Sequence, residues 1–200
     1  MEIKKLVLGP LQTNCYIVIN KNECIIIDPA TNSEKILNFA TEQNIKIKAI
    51  LLTHGHFDHC NAVKNLQKAG IKVYSSKFEC EILKNSPRNF GLNITNSFTP
   101  DFMLQDGEEL NLIGLTIKVI ATPGHTNGSL CYLIGNNLFC GDTLFAGGGF
   151  GRCDLFSGDF QKIKHSIKEK LFKLDDNINL FCGHGANTKL GEEKLLLTNF

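Results

Sequence analysis

The sequence predicts an α+β protein in which two β-sheets pack face to face and helices cover their outer sides. Strands, a helix, a strand and a helix occupy the first half of the chain, and strands followed by helices return in the second half. The two halves therefore resemble each other loosely, as the two sheets of one sandwich would. The 200 residues are enough for one sizeable core and no linker divides them, so we predict a single domain over residues 1–200.

Turn residues and apolar runs predict the order of the elements. The first half is predicted to contain strands at 2–8, 15–19, 24–27, 48–52 and 71–74, and helices at 34–43, 61–69 and 77–84. Residues 85–103 lose this pattern and are predicted to form a long surface loop, either a lid or an inert insertion. The second half is predicted to contain a hairpin of 109–112 with 115–120, strands at 130–134, 138–140 and 178–182, and helices at 159–172 and 189–197.

Charge and hydropathy argue against two classes of partner. The formal net charge is +1, and the basic residues are scattered rather than interleaved with aromatic ones, so no nucleic-acid partner is expected. The apolar stretch before Gly9 is too short for an export signal, and no later stretch is long and apolar enough to span a membrane. We therefore expect a cytoplasmic protein without a membrane partner, and the oligomeric state is left open.

The eight cysteines contain no Cys-x-x-Cys pair, and several lie inside apolar runs as small buried side chains. In a reducing cytosol we expect free thiols rather than a disulfide framework. Cys60 and Cys153 lie nearest to the chemistry proposed below, but the set of metal ligands is complete without them.

The densest chemical signal is Thr53-His54-Gly55-His56-Phe57-Asp58-His59, which directly follows an apolar run typical of a buried strand. His54 and His56 are two residues apart, so in extended backbone their side chains point the same way and can share one ion. Asp58 and His59 add an oxygen and an imidazole suited to a second ion. Imidazole and carboxylate without thiolate favour zinc, iron or manganese. Burying four such groups unpaired would be costly, so the cluster predicts a metal site.

Three more candidate ligands follow later strands, and each is preceded by glycine, which permits a close approach to an ion. They are His125, Asp142 and His184. The sixth histidine, His165, is predicted to lie on the solvated face of a helix. Asp28 closes a strand beside the first cluster and is expected to brace it.

The ordered pattern H-x-H-x-D-H, Gly-His, Gly-Asp, Gly-His resembles that of the metallo-β-lactamase superfamily, an αββα sandwich with a dinuclear site at one edge. Within it the chain is most similar to the short bacterial form of the glyoxalase II, or hydroxyacylglutathione hydrolase, branch. The supporting matches are Thr122-Pro123-Gly124-His125-Thr126, Gly141-Asp142-Thr143-Leu144-Phe145, Gly151-Arg152, and Gly183-His184-Gly185 through Gly191-Glu192-Glu193.

This resemblance implies a site for two divalent ions, most simply zinc, with iron or manganese as alternatives. It places His54, His56 and His125 on the first ion and Asp58, His59 and His184 on the second, with Asp142 bridging both. It further implies that a metal-bridging hydroxide attacks a small-molecule acyl-thioester of the S-lactoylglutathione type. Asp58 would also orient the nucleophile.

Other branches of the superfamily fit less well. Periplasmic β-lactamases carry an export signal and a cysteine in place of Asp142, flavodiiron proteins carry a glutamate in place of His56, and tRNA-processing nucleases are longer. A persulfide dioxygenase with one iron remains the alternative, and a non-catalytic metal-binding module is a weaker one because the predicted site is open. The helical region that holds glutathione in full-length glyoxalase II has no counterpart before Phe200, so glutathione itself is not implied.

The sequence gives the least information about which residues line the substrate pocket. Arg152 is expected to line it. Five phenylalanines either line it with Arg152 or belong to the core, and these are Phe90, Phe98, Phe145, Phe150 and Phe156.

Overall fold

A computed structural model describes residues 1–79, 98–198 and 200 of the chain. Its first sheet has the order β1-β2-β3-β4-β5-β6. The strands are β1 (Glu2–Leu8), β2 (Thr13–Asn20), β3 (Glu23–Ile27), β4 (Lys46–Leu51), β5 (Lys72–Ser76) and β6 (Phe102–Leu104). β1 to β3 pair antiparallel as the predicted meander, and β3 to β6 pair parallel.

The second sheet has the order β12-β11-β10-β9-β8-β7. Its strands are β7 (Glu109–Leu112), β8 (Leu115–Ala121), β9 (Leu130–Ile134), β10 (Asn137–Gly141), β11 (Asn179–Cys182) and β12 (Thr188–Lys189). β7 to β10 form an antiparallel meander, and only the β10–β11 pair is parallel because a helical crossover connects those two strands.

Alternating side chains of the central strands explain why the two sheets form a sandwich. Tyr16 and Val18 of β2 point towards the second sheet, where they join one core with Val119 and Tyr132. The intervening residue Ile17 points the other way, into a core beneath the helices of the first half. Strands β2 and β3 are therefore apolar on both faces, and the predicted α+β sandwich with outer helices is confirmed.

Among the described residues, the helices of the first half are α1 (Ser33–Glu42), α2 (Phe57–Cys60) and α3 (Val63–Lys68), and those of the second half are α4 (Phe160–His165) and α5 (Leu190–Leu196). Asn32 caps α1 by accepting from the Lys35 N–H at 3.1 Å. Asp159 caps α4. After α4 the backbone continues as a π-helix at Ser166–Lys170 and a 3₁₀ turn at Leu171–Lys173.

Several predicted boundaries were wrong. The helix predicted at 61–69 is present as α3, but a separate short helix, α2, was not predicted and begins within the histidine cluster at Phe57. The loop predicted at 85–103 ends in strand β6, since Phe102–Leu104 pairs with β5 and stacks Phe102 on Tyr74. The rest of that loop up to residue 97, and most of the helix predicted at 77–84, lie outside the described residues.

Candidate metal centre

Four loops bring the candidate ligands to one edge of the sandwich. They leave the carboxyl ends of β4, β8, β10 and β11. Two glycines allow these loops to touch. A Cβ on Gly141 would overlap the Thr53 side chain, and a Cβ on Gly183 would overlap Asp142 Oδ1. The glycine before each later ligand was predicted to permit a close approach to an ion, and at these two positions it permits a close approach between ligand loops.

The first ligand group is a cluster of three histidines. His125 Nε2 lies 3.2 Å from His54 Nε2 and 2.9 Å from His56 Nδ1. All three side chains are buried, with exposed fractions of 1% for His54, 4% for His56 and 3% for His125. Three ring nitrogens therefore converge on one point in the interior, as the ligands of a single cation do.

The second ligand group lies beside the first and consists of Asp58, His59 and His184. The Nε2 atoms of the two histidines are 3.3 Å apart, and Asp58 Oδ2 is 3.4 Å from His59 Nε2 and 3.3 Å from His184 Nε2. One carboxylate oxygen and two imidazole nitrogens thus form a second convergent set.

Asp142 lies between the two groups. Its Oδ2 is 3.7 Å from His125 Nε2 of the first group and 3.4 Å from His184 Nε2 of the second. Its Oδ1 is 3.3 Å from His59 Nε2, yet this buried oxygen accepts no hydrogen bond from any described residue. A buried carboxylate oxygen without a donor is costly unless a cation binds it, so the arrangement fits a metal pair bridged by Asp142.

Acceptors behind the rings fix which nitrogen faces the centre. His125 Nδ1 donates to the Arg152 carbonyl at 2.8 Å, and His184 Nδ1 donates to the Leu11 carbonyl at 3.0 Å. His59 Nδ1 donates to Asp28 Oδ2 at 2.9 Å. Because Nδ1 carries the hydrogen in each ring, the neutral ring offers the lone pair of Nε2 to a metal.

Asp28 braces the first cluster, as the sequence predicted. Besides His59, it accepts from the Thr53 N–H at 2.8 Å and from the Thr53 hydroxyl at 2.6 Å. The Thr53 hydroxyl in turn lies 3.0 Å from His54 Nδ1. One buried carboxylate thereby orients a histidine of each ligand group, and both of its oxygens accept hydrogen bonds from protein groups.

Burial and neighbouring charges shift the histidine pKa values of the two groups in opposite directions. Burial and the neighbouring histidines lower the pKa of His54 well below its usual range and that of His56 to about 3. In the second group burial also lowers the histidine pKa values, but the neighbouring carboxylates outweigh it. The charges of Asp142 and Asp58 raise the pKa of His59. Hydrogen bonds to the same two carboxylates raise the pKa of His184 to about 9.

An open cleft of about 580 Å³ leads to the centre. Its walls include ligands from both groups, Asp142, the apolar side chains Leu11, Phe57 and Phe145, and Arg152. The Arg152 guanidinium forms a two-bond ion pair with Asp154, at 2.8 and 2.7 Å, on the exposed rim. Chemically, the cleft gives a small molecule with an apolar part direct access to both ligand groups.

Of the two alternatives left open for the phenylalanines, Phe145 lines the cleft, whereas Phe98 and Phe150 belong to the core. Phe98 is 7% exposed and belongs to the core beneath the first-half helices. Phe150 packs against Phe200 and the core beneath the helices of the second half, where Ile163 and Leu190 are buried. Phe156 is exposed and does not line the cleft. Phe90 lies outside the described residues.

Residues 8–184 match the family described as the metallo-beta-lactamase superfamily. The chain belongs to this superfamily. Among its relatives, hydroxyacylglutathione hydrolase GloC of Haemophilus influenzae is 36% identical over 97% of this chain and 95% of its own length. A probable polyketide biosynthesis zinc-dependent hydrolase, BaeB of Bacillus velezensis, is 33% identical over 92% of this chain and 79% of its own.

Solved structures of other superfamily members superpose over nearly the whole chain. BLEG-1 B3 metallo-beta-lactamase matches with a TM-score of 0.90 and 35% identity, covering 96% of both chains. TTHA1623 in a di-iron-bound form matches with a TM-score of 0.84 and 34% identity, covering 95% of this chain and 96% of that one. ETHE1 from Myxococcus xanthus matches with a TM-score of 0.81 and 25% identity, covering 97% and 82%. The superfamily resemblance inferred from the sequence is thereby confirmed.

The structure brings together all seven predicted ligands of this superfamily member, and their binding of metal stays a prediction. His165 is exposed at the end of α4, as predicted. Cys60 is buried with its thiol against the Gly55 carbonyl, and Cys153 is half-buried. In the described ranges no helix has both the length and the apolar character that crossing a membrane requires.

Two residues of the site were not predicted from the sequence. Thr13 is fully buried, and its hydroxyl donates to Asp58 Oδ2 at 2.9 Å. Glu79 is also fully buried and bonds to two of the ligand-bearing loops. Neither lies near a histidine in the sequence, so only knowledge of the strand pairing would have indicated them.

Proposed function

We propose that this superfamily member is a dinuclear metal-dependent hydrolase that cleaves small acyl-thioesters. The observation that carries the proposal is Asp142, which lies between two complete groups of three ligands at the floor of an open cleft. A structural metal site is closed by its protein ligands, whereas a catalytic one keeps an open position for water or substrate.

The residues divide into three roles. The first ion is held by His54, His56 and His125, the second by Asp58, His59 and His184, and Asp142 binds both. When bound, such a metal pair ionises a water near neutral pH and polarises a carbonyl. These assignments follow two of the three convergent groups of nitrogen and oxygen atoms. The third group, Asp28 with His54 and His59, shares its histidines with the other two, and its carboxylate is hydrogen-bonded to Thr53 and His59.

The chain's own residues supply position and charge. Asp58 is both a ligand and a wall of the cleft, and although burial opposes it, His59 and His184 lower its pKa to about 2. Its ionised carboxylate, held by Thr13, orients the attacking water. In the overall reaction the oxygen of water bonds to the thioester carbonyl carbon, the C–S bond breaks, and a carboxylate and a thiol leave.

The walls of the cleft select the substrate. Leu11, Phe57 and Phe145 pack against the apolar part of the thioester, and Arg152 contacts its polar end. The Arg152 carbonyl holds His125, so the residue that meets the substrate is also linked to the first ligand group. An S-lactoylglutathione-like thioester is the first substrate to test, and the name of the GloC relative supports it.

The alternative is the persulfide dioxygenase with one iron. The second group favours the hydrolase, because Asp58, His59 and His184 form a ligand set as compact as the first. The zinc-dependent BaeB and the di-iron TTHA1623 support a site for divalent metal, with two ions in the latter.

A panel of substrates tests the proposal. Purified protein of known metal content is offered S-lactoylglutathione, simpler acyl-thioesters and a cephalosporin. Thiol released from the thioesters is followed with a disulfide reagent, and opening of the cephalosporin ring is followed by its loss of absorbance. We expect thiol release that a chelator abolishes and added zinc restores. Protein with two ions that releases thiol from none of the thioesters would contradict the proposal, and oxygen uptake with glutathione persulfide by protein with one iron would replace it.

A further inference from the structure

Glu79 is a buried carboxylate that the mechanism above does not use. It follows β5 and its exposed fraction is 0%. Its Oε2 accepts from the Gly55 N–H at 2.6 Å, its Oε1 accepts from the Thr126 hydroxyl at 2.5 Å, and the Gly128 N–H also bonds to the carboxylate. A buried charge needs such donors, and here three of them come from two different loops.

Those two loops carry the whole first ligand group. Gly55 lies between His54 and His56, and Thr126 directly follows His125. Glu79 therefore bonds to the immediate neighbour of every histidine in the group without touching the centre itself. The ring nitrogens that these loops present are 2.9 to 3.2 Å apart, so a small shift of either loop changes the spacing of the ligands.

The packing leaves this contact little freedom. A Cβ added to Gly128 would lie 2.5 Å from Glu79 Oε1 and 2.9 Å from the Glu79 N atom. Thr126 is held from the other side, since its N–H donates to Ser129 Oγ at 3.1 Å. The carboxylate is thus fitted between the two loops rather than lying loosely beside them.

We propose that Glu79 is a positioning residue that sets the spacing of His54, His56 and His125 and so raises the affinity of the first site for its ion. This inference rests on the metal assignment of the proposed function. The second group is held by other contacts, from Asp28, Thr13 and the Leu11 carbonyl. Loss of Glu79 therefore acts on one ion and spares the other.

Two variants, each of which leaves only one ligand group intact, serve as backgrounds in which this selectivity is tested. His184→Ala disables the second group and reports binding at the first, and His54→Ala does the converse. Zn²⁺ affinity of chelator-treated protein is measured by competition with a chromophoric chelator, with and without Glu79→Ala. We expect Glu79→Ala to weaken binding at least about tenfold in the His184→Ala background, a typical loss for residues behind a ligand, and to leave it unchanged in the His54→Ala background.

Glu79→Gln keeps the volume of the side chain, and it replaces Glu79→Ala in this test if the alanine variant does not fold. An amide has one acceptor oxygen where the carboxylate has two, so at least one of the three donors loses its partner and the same selective loss is expected, smaller in size. The matched control is Glu193→Gln, at an equally buried carboxylate that accepts from the Gly148 N–H at 2.6 Å and the Thr188 hydroxyl at 2.8 Å and forms no hydrogen bond with the loops that carry the first ligand group.

Equal weakening in both backgrounds, or none in either for folded protein, would overturn the positioning role. A parent protein that binds no Zn²⁺ would instead refute the proposed function. Weakening by Glu193→Gln as large as that by Glu79→Gln would show a general effect of losing a buried carboxylate, which also overturns the inference.

Discussion

Asp142 Oδ2 lies 3.4 Å from His184 Nε2, and the same oxygen lies 3.7 Å from His125 Nε2. One carboxylate thereby lies within 4 Å of a histidine from each of the two ligand groups. Its other oxygen is buried without a hydrogen bond from any described residue, which leaves that oxygen available to a cation.

Removing this carboxylate is expected to weaken both ions together. Asp142→Ala should lower the metal content of purified protein at both sites, and elemental analysis with stepwise Zn²⁺ titration measures it. Asp154→Ala, which removes an exposed carboxylate of the same loop, should keep the parental content. Loss of a single ion from Asp142→Ala would show that the bridging assignment is wrong.

The histidines give a matched pair of variants. His54→Ala removes a ligand that is 1% exposed and should lower thioester hydrolysis to the uncatalysed rate, because the first ion loses one of its three nitrogen ligands. His165→Ala removes an exposed histidine on α4 and should hydrolyse like the parent. Thiol release under saturating substrate measures both, and full activity of His54→Ala would refute the mechanism.

Asp28→Asn tests the contacts behind the ligands. Asparagine keeps the size but has one acceptor oxygen for the Thr53 N–H, the Thr53 hydroxyl and His59 Nδ1. We expect metal affinity to fall about 10- to 100-fold, the usual cost of altering such a partner. Competitive Zn²⁺ titration measures the change, and unaltered affinity for both ions would show that Asp28 does not orient the ligands.

Glu79 is expected to make stability depend on pH. Although the hydrogen bonds from Thr126, Gly55 and Gly128 oppose it, burial raises the pKa of Glu79 from 4.5 to about 7. The folded protein then holds this proton more tightly than the unfolded chain. The stability that the residue contributes is therefore fully present below about pH 4.5 and is lost as the pH rises to about 7.

Urea unfolding of chelator-treated protein from about pH 4 to about pH 8 measures this dependence. The glutamine of Glu79→Gln does not titrate. The free energy of unfolding of the parent, relative to that of the variant, should therefore fall as the pH rises across that range. A difference that stays constant with pH would contradict the raised pKa.

The sequence was most informative about ligands that lie close together along the chain or directly follow a strand and a glycine. The first four ligands lie within six residues, and the other three each follow a strand and a glycine, so residue type and position together predicted the convergence. Asp28 was predicted as a brace because it ends the strand beside the cluster, and the structure confirms its bonds to Thr53 and His59.

The missed features depend on contacts between distant parts of the chain. Thr13 meets Asp58 across 45 residues and Glu79 meets Thr126 across 47, and no periodic pattern encodes such pairs. Strand β6 was missed because three residues at a sheet edge show too little alternation. The π-helix after His165 was missed because its pattern of apolar residues is close to that of an α-helix.

The number of ions bound per chain tests the central claim most directly. Freshly purified protein is subjected to elemental analysis and its metal content is divided by the protein concentration. The two ligand groups and the bridging Asp142 predict about two ions per chain, mostly zinc, with iron or manganese pairs also consistent with the ligand set. One iron per chain, or no metal in active protein, would contradict a dinuclear hydrolase.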